Sequence, residues 1–293
     1  MASRNRVNAA IAEEKPSRRP PKLGQHFLAD RGTAEKIVSA LGVVASETVV
    51  EIGPGKGVLT TILARNAFKL IAIELDRVLA AQLRMKYAAW PNVEIIEGDI
   101  LKIDISTVLG PRPGALAGVK DAPKQIAQVI GNIPYYITSE ILLRLFKYHE
   151  YFHRMVIMVQ KEVAERIAAK PGGKEYGLLS ATAQLYAKVE KLFTVPPGAF
   201  APPPKVDSAV LRLTVAPQWE RLRVPEREFI EFLKLSFGQK RKTLVNNLKP
   251  RYDTALLQQA LKKAGVRADA RSETLPLEKA AAVFRFVQGK EVS

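Results

Sequence analysis

Short runs rich in β-branched residues alternate with amphipathic helical stretches along the chain, and this alternation narrows the possible folds more than any other feature. We predict strands over 48–52, 70–73, 93–96, 128–130, 155–159, 191–195 and 209–215. Helical patterns flank or separate most of them, at 33–41, 59–65, 77–89, 139–148, 161–169 and 178–186. Strands that alternate with helices pair in parallel through right-handed crossovers. We therefore expect a Rossmann-like α/β sheet with helices on both faces.

The connection between the last two predicted strands departs from this pattern. Segment 196–208 reads Pro-Pro-Gly-Ala-Phe-Ala-Pro-Pro-Pro-Lys-Val-Asp-Ser. It cannot form a helix, because proline lacks the N–H that helical hydrogen bonding requires. A parallel crossover needs about a dozen residues or more, and these are normally helical. We therefore predict a seven-stranded sheet whose last strand is antiparallel to its neighbour.

The two ends of the chain differ from this central part. Residues 1–21 are polar and basic and end in two prolines, which indicates a flexible basic arm. No strand pattern remains after Pro217, where helices are predicted at 226–237, 240–248, 253–264 and 277–287. We therefore divide the chain into three parts, which are the arm (1–21), an α/β domain (22–216) and a small all-helical domain (217–293).

The composition favours a polyanionic partner. The 293 residues include 45 Lys and Arg against 29 Asp and Glu, a formal net charge of +16. This balance favours nucleic acid first and an anionic membrane surface second, although a basic enzyme without either partner has the same composition. The absence of cysteine excludes a disulfide scaffold, a thiolate zinc site and a cysteine nucleophile, and with only three histidines we expect no metal. No apolar run approaches the roughly 20 residues of a membrane span.

Glycine and polar residues follow four neighbouring strands at the points where these strands end. Gly53 and Gly55 follow the first strand, Glu74 the second, Asp99 the third and Asn132 the fourth. Ligands of α/β sheets bind at the carboxyl ends of the strands. Each feature alone is explained as readily by a tight turn or a capped strand end. Their recurrence at four consecutive strands predicts a ligand-binding cleft.

The spacing of these residues indicates a cofactor that contains adenosine. Glu74 lies 21 positions after Gly53, which suits a carboxylate that binds two ribose hydroxyls, and Asp99 offers a second acceptor for an exocyclic amine. The turn reads G-x-G-x-G, and its Pro54 removes an N–H that a pyrophosphate would use. A nucleoside cofactor without phosphate fits these residues better, and S-adenosylmethionine is such a cofactor.

The segment after the fourth strand, Asn132-Ile133-Pro134-Tyr135, indicates the reaction. An exocyclic amine on a purine is a poor nucleophile, because its lone pair is delocalised into the ring. The Asn132 side-chain oxygen and the Ile133 carbonyl can each accept an N–H bond from it, which favours a pyramidal nitrogen whose lone pair points at a methyl donor. Pro134 fixes the turn, and Tyr135 offers a face on which an extruded base can stack. The structural alternative is a tight turn with a buried tyrosine.

At these residues the sequence resembles the ribosomal RNA adenine dimethyltransferases of the KsgA type, which are class I S-adenosylmethionine-dependent methyltransferases. The resemblance covers about residues 22–290 and follows the family's order of motifs. The shared segments are 24–28 (GQHFL), 51–57 (EIGPGKG), 74–76 (ELD), 98–99 (GD), 132–135 (NIPY), 159–166 (VQKEVAER), 200–208 (FAPPPKVDS) and 237–244 (FGQKRKTL). It implies a class I methyltransferase fold, with a catalytic α/β domain and a helical domain that binds RNA or the ribosome.

The resemblance also implies an activity and residue roles. Members usually dimethylate two adjacent adenines in the 3′-terminal hairpin of small-subunit (16S) rRNA, and they act in maturation of the 30S subunit, in the cytoplasm. Methyl transfer is implied at 132–135, with Phe200 on the other face of the adenine. Cofactor contacts are implied for His26, Leu28, Gly53, Glu74, Asp99 and Asn132, and Gly55 belongs to the same turn.

Two features depart from the family pattern. Position 26 is His, where bacterial members commonly have Asn and eukaryotic-type relatives often have His. The stretch 110–124 and the N-terminal arm are longer than usual, and the former could alter the rim of the site. Neither feature changes the four strand-end positions.

Binding of the RNA is expected to involve the basic residues Lys240, Arg241 and Lys242. We expect them on a short helix as a phosphate-binding ridge, with an ordinary solvated helix face as the alternative. Tyr136 is either a second stacking surface or a core residue. The expected partner is small-subunit rRNA within an immature 30S particle, and we expect a monomer that does not bind membranes.

Two other functions stay open. A large-subunit (23S) rRNA adenine methyltransferase of the macrolide-resistance type would share the fold and 132–135, but the segments 237–244 and 160–166 favour the small-subunit activity. A ribosome assembly factor that acts mainly by binding would not need the cofactor residues or Asn132. All of these are present, which disfavours a loss of activity.

Overall fold

A computed structural model describes residues 26–42, 45–110 and 127–289. Within these ranges a central sheet runs in the order β3-β2-β1-β4-β5-β7-β6. Its strands are β1 (Thr48–Ile52), β2 (Lys69–Glu74), β3 (Val93–Glu97), β4 (Ala127–Asn132), β5 (Phe152–Gln160), β6 (Ala187–Val195) and β7 (Ser208–Val215). Strands β1 to β5 pair in parallel, whereas β7 is antiparallel to both of its neighbours. The prediction of an antiparallel last strand is confirmed.

Helices cover both faces of this sheet because neighbouring residues of a strand point to opposite sides. Val49 packs in a cluster with residues of the first three helices, and Val50 packs in the cluster on the other face. The helices of the α/β part are α1 (Arg31–Leu41), α2 (Val58–Asn66), α3 (Arg77–Lys86), α4 (Ile105–Leu109), α5 (Thr138–Lys147), α6 (Lys161–Ile167) and α7 (Leu178–Tyr186).

The start of α1 differs from the prediction, which placed it at Thr33. The Asp30 carboxylate accepts a hydrogen bond of 2.7 Å from the Thr33 amide, so Asp30 caps the helix and Arg31 is its first residue. The helix ends before Gly42 as expected, because Gly42 adopts a left-handed conformation with φ of 65°.

The C-terminal part is helical, as predicted, but one helix begins later than expected. Thr243 caps this helix by accepting a hydrogen bond of 3.3 Å from the Asn246 amide. The expected helix over 240–248 is therefore wrong in its first residues, and Lys240, Arg241 and Lys242 lie in the preceding turn. The helices are α8 (Trp219–Leu222), α9 (Glu226–Ser236), α10 (Leu244–Leu248), α11 (Thr254–Lys263) and α12 (Leu277–Val287).

The helical part continues the core of one face of the sheet. Its fully buried Phe229, Phe232 and Phe284 belong to the same apolar cluster as the residues of β1, β4 and β5 on that face. The Trp219 ring also lies 5.4 Å from that of Tyr186, at the end of α7. The change from sheet to helices follows Val215, close to the expected boundary, while the division into separate domains stays a prediction.

A two-stranded clasp connects distant parts of the chain. We use this name for Phe27–Leu28 and Phe200–Ala201, which pair in antiparallel orientation. The amides of Ala29 and Asp30 extend the pairing by donating to the Ala199 carbonyl at 2.8 and 3.1 Å. The clasp thus holds the segment before α1 against the segment before β7.

Several predictions concern features that the described residues test only in part or not at all. No helix in the ranges 26–42, 45–110 and 127–289 is long and apolar enough to cross a bilayer. In the same ranges, no three His, Cys, Asp or Glu side chains are grouped as metal ligands. The arm (1–21) and most of the stretch 110–124 lie outside the described residues.

Candidate active site

A cavity of about 440 Å³ opens at the carboxyl ends of β1 to β4. This volume lies in the range of about 300–1,000 Å³ that is typical of small-molecule sites. The structure brings together every residue that the sequence predicted for cofactor binding and methyl transfer. The cavity is lined by His26, Leu28, Gly53, Gly55, Glu74, Asp99, Asn132, Ile133, Pro134 and Tyr135, among others.

The glycine-rich turn after β1 forms the floor of the cavity. Gly53 and Gly55 both have positive φ, at 64° and 58°, a backbone conformation that residues other than glycine rarely adopt. A Cβ atom on Gly55 would also lie 2.8 Å from the ring of Phe27. The turn therefore requires glycine both for its conformation and for the close approach of the clasp.

Glu74, at the end of β2, is held by two backbone amides. Its Oε2 accepts from Gly55 N and its Oε1 from Asp76 N, both at 2.9 Å. The side chain is buried, with 4% of its surface exposed. Because each carboxylate oxygen has further acceptor capacity, Glu74 can still receive the two hydroxyls of a ribose.

Asp99 follows β3 and lies beside Glu74 at the next strand end. Its Oδ1 accepts from Leu101 N at 2.9 Å, and its Oδ2 lies 4.0 Å from Lys102 Nζ. The Gly98 amide donates to the Glu74 carbonyl at 2.8 Å, which joins the two strand ends. The cavity therefore has two acidic acceptors at fixed positions on its wall.

Glu51 is a residue of the cavity wall for which no role was predicted from the sequence. It lies on the central strand β1 with 1% of its surface exposed, and its Oε2 has no hydrogen-bond partner among the described residues. Burial raises the pKa of Glu51 to about 8, and the nearby Glu74 carboxylate adds to the rise. The signal was an acidic residue within the otherwise uncharged strand Thr-Val-Val-Glu-Ile.

Asn132, at the end of β4, has a defined orientation. Its Nδ2 donates to the His26 carbonyl at 3.1 Å, which leaves the side-chain oxygen without a donor from the described residues. The next residue is fixed as well, because Ile133 N donates to the Met158 carbonyl at 3.0 Å. The Ile133 carbonyl likewise receives no hydrogen bond from the part of the chain that the structure describes. Two acceptor oxygens are thus available at the same strand end.

The Tyr135 ring is fixed at both of its ends. Its hydroxyl lies 2.6 Å from the hydroxyl of Ser208, which is fully buried at the start of β7. Its ring lies nearly parallel to that of His26, with centroids 6.3 Å apart, and His26 Nδ1 is 2.9 Å from the Pro202 carbonyl. Burial raises the pKa of Tyr135 above that of an exposed tyrosine. No role for Ser208 was predicted, although it ends a motif shared with the family.

The structure does not bring all predicted substrate residues to the cavity. Phe200 is 4% exposed and packs in the apolar cluster that contains Leu28, and it is not part of the cavity wall. In this conformation Phe200 offers no free ring face to an adenine. Tyr136, by contrast, is 56% exposed at the cavity rim, so its interpretation as a core residue is wrong.

The cations of the C-terminal part lie outside the cavity wall. Lys240, Arg241 and Lys242 are exposed, and none of them forms an ion pair within the described residues. Lys240 Nζ lies 3.4 Å from the Lys174 carbonyl, which places this turn next to a loop of the α/β part. Their contact with RNA stays a prediction.

The family model described as ribosomal RNA adenine dimethylase matches residues 17–289. The chain belongs to this family. Among curated dimethylase relatives, the ribosomal RNA small subunit methyltransferase A of Koribacter versatilis is 55% identical over 94% of this chain and 96% of its own length. The protein of the same name from Acidobacterium capsulatum is 49% identical over 92% of each chain. The family and the enzyme class that the sequence predicted are confirmed.

Solved structures of methyltransferases have the same fold as this chain. A dimethyladenosine transferase from Plasmodium falciparum superposes with a TM-score of 0.74 and 27% identity, covering 90% of this chain and 98% of that one. The 23S rRNA methyltransferase ErmE superposes with a TM-score of 0.65 and 26% identity, covering 89% and 99%. The class I methyltransferase fold is confirmed. The names of the sequence relatives favour the small-subunit activity over the large-subunit alternative.

Proposed function

We propose that this enzyme uses S-adenosylmethionine to dimethylate two adjacent adenines in the 3′-terminal hairpin of 16S rRNA during 30S biogenesis. The orientation of Asn132 carries this proposal. Its amide nitrogen donates to the His26 carbonyl, so its oxygen is left as an acceptor in the cavity that Glu74 and Asp99 also line. The names of the curated relatives support the small subunit as the source of the RNA.

The hydrogen-bond acceptors that line the cavity fit S-adenosylmethionine. Glu74 would accept the ribose hydroxyls, Asp99 would accept the exocyclic amine of the cofactor's adenine, and the turn at Gly53 and Gly55 would contact its amino-acid part. When bound, S-adenosylmethionine supplies an electrophilic methyl group on a sulfonium.

Asn132 and Ile133 orient the nucleophile. The Asn132 oxygen and the Ile133 carbonyl each accept one N–H of the target adenine's amine, which holds this nitrogen pyramidal and directs its lone pair to the methyl group. Alkylation makes the N–H protons of the product acidic, so one of them leaves to solvent without a general base. The same two acceptors hold the monomethylated amine through its one remaining N–H for the second transfer.

Tyr135 holds the target base. The ring stacks on the adenine that has been extruded from the RNA, and the Ser208 hydroxyl prevents the ring from turning away. Stacking of a base on an aromatic side chain contributes about 1–3 kcal/mol. Pro134, with φ of −56°, fixes the turn that connects the acceptor oxygens to the ring.

The RNA backbone binds to the exposed cations of the C-terminal part. Lys240, Arg241 and Lys242 are exposed in one turn and form no ion pair within the described residues, which supports their contact with phosphates. The partner is an immature 30S particle, and the enzyme acts as a cytoplasmic monomer. Specificity comes from the shape of the RNA and its unpaired loop bases, since phosphate contacts carry no sequence information.

The decisive experiment is methyl transfer by the purified enzyme to immature 30S subunits, followed by mapping of the modified nucleotides. We expect dimethyladenosine at two adjacent positions of the 3′-terminal 16S hairpin. Modification of 23S rRNA instead would support the large-subunit alternative. Binding to the particle without any transfer would support an assembly factor that acts mainly by binding.

A further inference from the structure

Two consecutive tyrosines at the cavity have opposite environments. The 3₁₀ turn Tyr135–Ile137 follows Pro134 directly and leads into α5. Tyr135 is partly buried, and its hydroxyl is bound to Ser208, whereas Tyr136 is 56% exposed. Both side chains line the same cavity. The turn therefore presents one aromatic ring to the interior of the site and a second ring at its rim.

The turn is anchored on both sides of Tyr136. On one side the Tyr135 hydroxyl is held by buried Ser208, and on the other Ile137 packs against the main apolar cluster. Thr138, the first residue of α5, donates from its hydroxyl to the Pro134 carbonyl at 3.2 Å. These contacts fix the backbone of the turn, so the outward position of the Tyr136 side chain is set by the fold.

The Tyr136 side chain has no partner within the protein that would explain its position. In the ranges that the structure describes, its ring contacts no other aromatic ring or cation, and its hydroxyl makes no hydrogen bond. Other tyrosines of the protein do have partners. The Tyr87 hydroxyl forms a hydrogen bond of 2.8 Å with the Thr61 hydroxyl, and the Tyr186 hydroxyl donates to Glu226 at 2.6 Å. Tyr136 therefore has a free ring at the rim of the cavity, where an unpaired base of a nucleic acid can stack on it.

We propose that Tyr136 is the binding surface for the nucleobase that is adjacent to the target adenine in the RNA. This inference rests on the proposed function. When the target base stacks on Tyr135, one phosphodiester connects it to a neighbour, which must lie immediately outside the cavity. The side chain next to Tyr135 on this turn, Tyr136, is the ring at that position. Every base has a face that can stack on an aromatic ring, and unpaired loop bases are free to do so.

The two adjacent adenines give this surface a specific use. While one adenine occupies the cavity, the other is its neighbour and stacks on Tyr136. After the first adenine is modified, the two bases can exchange places without release of the RNA. Tyr136 therefore contributes to binding of the RNA more than to the rate of the chemical step. Its contribution is larger for an RNA with both adenines than for an RNA with only one of them.

The test compares three variants with the wild-type enzyme on immature 30S subunits. Tyr136→Ala removes the ring, and Tyr136→Phe keeps the ring but lacks the hydroxyl. Phe68→Ala is the matched control, because Phe68 is 57% exposed and precedes β2 at the opposite end of the sheet. We expect kcat/KM of Tyr136→Ala to fall by roughly tenfold to a hundredfold, mainly through KM. Tyr136→Phe should recover most of this loss, and Phe68→Ala should behave as wild type.

A second substrate identifies the stacking partner. In 30S particles reconstituted with 16S rRNA that has an abasic site in place of one adenine of the pair, the neighbouring base is absent. The loss caused by Tyr136→Ala should shrink to a fewfold or less on these particles, and the affinity for S-adenosylmethionine, measured by calorimetry without RNA, should be unchanged.

Several results would overturn the inference. These are wild-type kinetics of Tyr136→Ala, an equal loss on both substrates, a loss in Tyr136→Phe as large as in Tyr136→Ala, or a parallel loss of cofactor affinity. Failure of the proposed function is a separate result, because it appears in the wild-type enzyme as an absence of transfer to the small-subunit adenines. That result would overturn the inference as well.

Discussion

The two halves of the candidate site are built in different ways. We call Gly53, Gly55, Glu74 and Asp99 the cofactor half, because they follow neighbouring parallel strands and are connected by backbone hydrogen bonds. The substrate half consists of Tyr135 and Tyr136 with the cations at 240–242, which lie in turns. Its members are fixed by single side-chain contacts or are exposed.

The two halves also differ in how far the protein itself fixes their side chains. Glu74 is 4% exposed and accepts hydrogen bonds from two backbone amides, so the protein itself fixes its orientation. Tyr136 is 56% exposed, and Lys240, Arg241 and Lys242 are exposed without ion pairs among the described residues. Under the proposed function, the first arrangement suits a small cofactor, and the second suits a large, deformable RNA particle. Substitutions in the two halves should therefore affect different measurements.

The largest expected effect is at Asn132, where the two halves meet. Asn132→Ala removes an acceptor that acts on the reacting amine, so transfer to immature 30S subunits should fall by about 10²- to 10³-fold. Calorimetry should show that its affinity for S-adenosylmethionine falls less than that of Glu74→Ala. Asn92→Ala is a matched control, because Asn92 bonds the Ala64 and Ala67 carbonyls at the other end of the sheet. Near-normal transfer by Asn132→Ala would contradict the mechanism.

The next largest effect concerns the buried Glu51 and the pH dependence of stability. The folded-state pKa is raised from 4.5 to about 8, so the folded protein holds a proton that the unfolded chain loses. Stability should therefore decline as the pH rises between these values. Glu51→Gln removes this contribution, and its advantage in free energy of unfolding should reach a few kcal/mol at pH 9. Urea unfolding at pH 5, 7 and 9 measures the free energy of unfolding of the wild-type protein and of Glu51→Gln. A constant difference between the two proteins at all three pH values would show that Glu51 does not titrate in this way.

A smaller effect is expected in the substrate half when the three cations at 240–242 are replaced by alanine. Binding to immature 30S subunits should weaken roughly tenfold at physiological salt, and the slope of log K against log salt should become shallower by about 2–3. A control variant with Arg221→Ala and Arg267→Ala removes exposed cations that are already paired, with Glu278 and Asp269. An unchanged slope in the triple variant would remove this turn from the interface.

The smallest effect tests how Tyr135 is held. Ser208→Ala and Tyr135→Phe each remove the hydrogen bond of 2.6 Å between the two hydroxyls. Each variant should lose about three- to tenfold in kcat/KM for the particle, since such a bond contributes about 1 kcal/mol. The double variant should be no worse than the worse single one, and cofactor affinity should be unchanged. Losses that multiply in the double variant would show that Ser208 does not act through Tyr135.

The cofactor half could be predicted from the sequence because parallel strands fix the positions of their ends. Once strands ending at Ile52, Ile73 and Ile130 were predicted, the residues that follow them had to meet at one edge of the sheet. Glu51 was assigned no role because its importance depends on burial and on an oxygen without a partner. Neither property can be read from a short strand.

The substrate half was predicted less completely because turns and packing determine it. The helix expected over 240–248 begins at Leu244, since Thr243 serves as its cap, and a cap three residues inside a helical pattern is easily missed. Phe200 was expected beside the adenine, but its pairing with Leu28 in the clasp buries it. The contact between Tyr135 and Ser208 joins residues 73 positions apart, and no local pattern indicates it.

The clasp has a consequence for synthesis of the protein on the ribosome. The wall beside Asn132 is completed by His26, whose side chain contacts Pro202, a residue 176 positions later in the sequence. A nascent chain that has exposed only β1 to β5 has the glycine turn and the carboxylates but lacks the segment that pairs with Phe27–Leu28. Tight retention of the cofactor should therefore begin only after about residue 202 has left the exit tunnel, when most of the sheet has already formed.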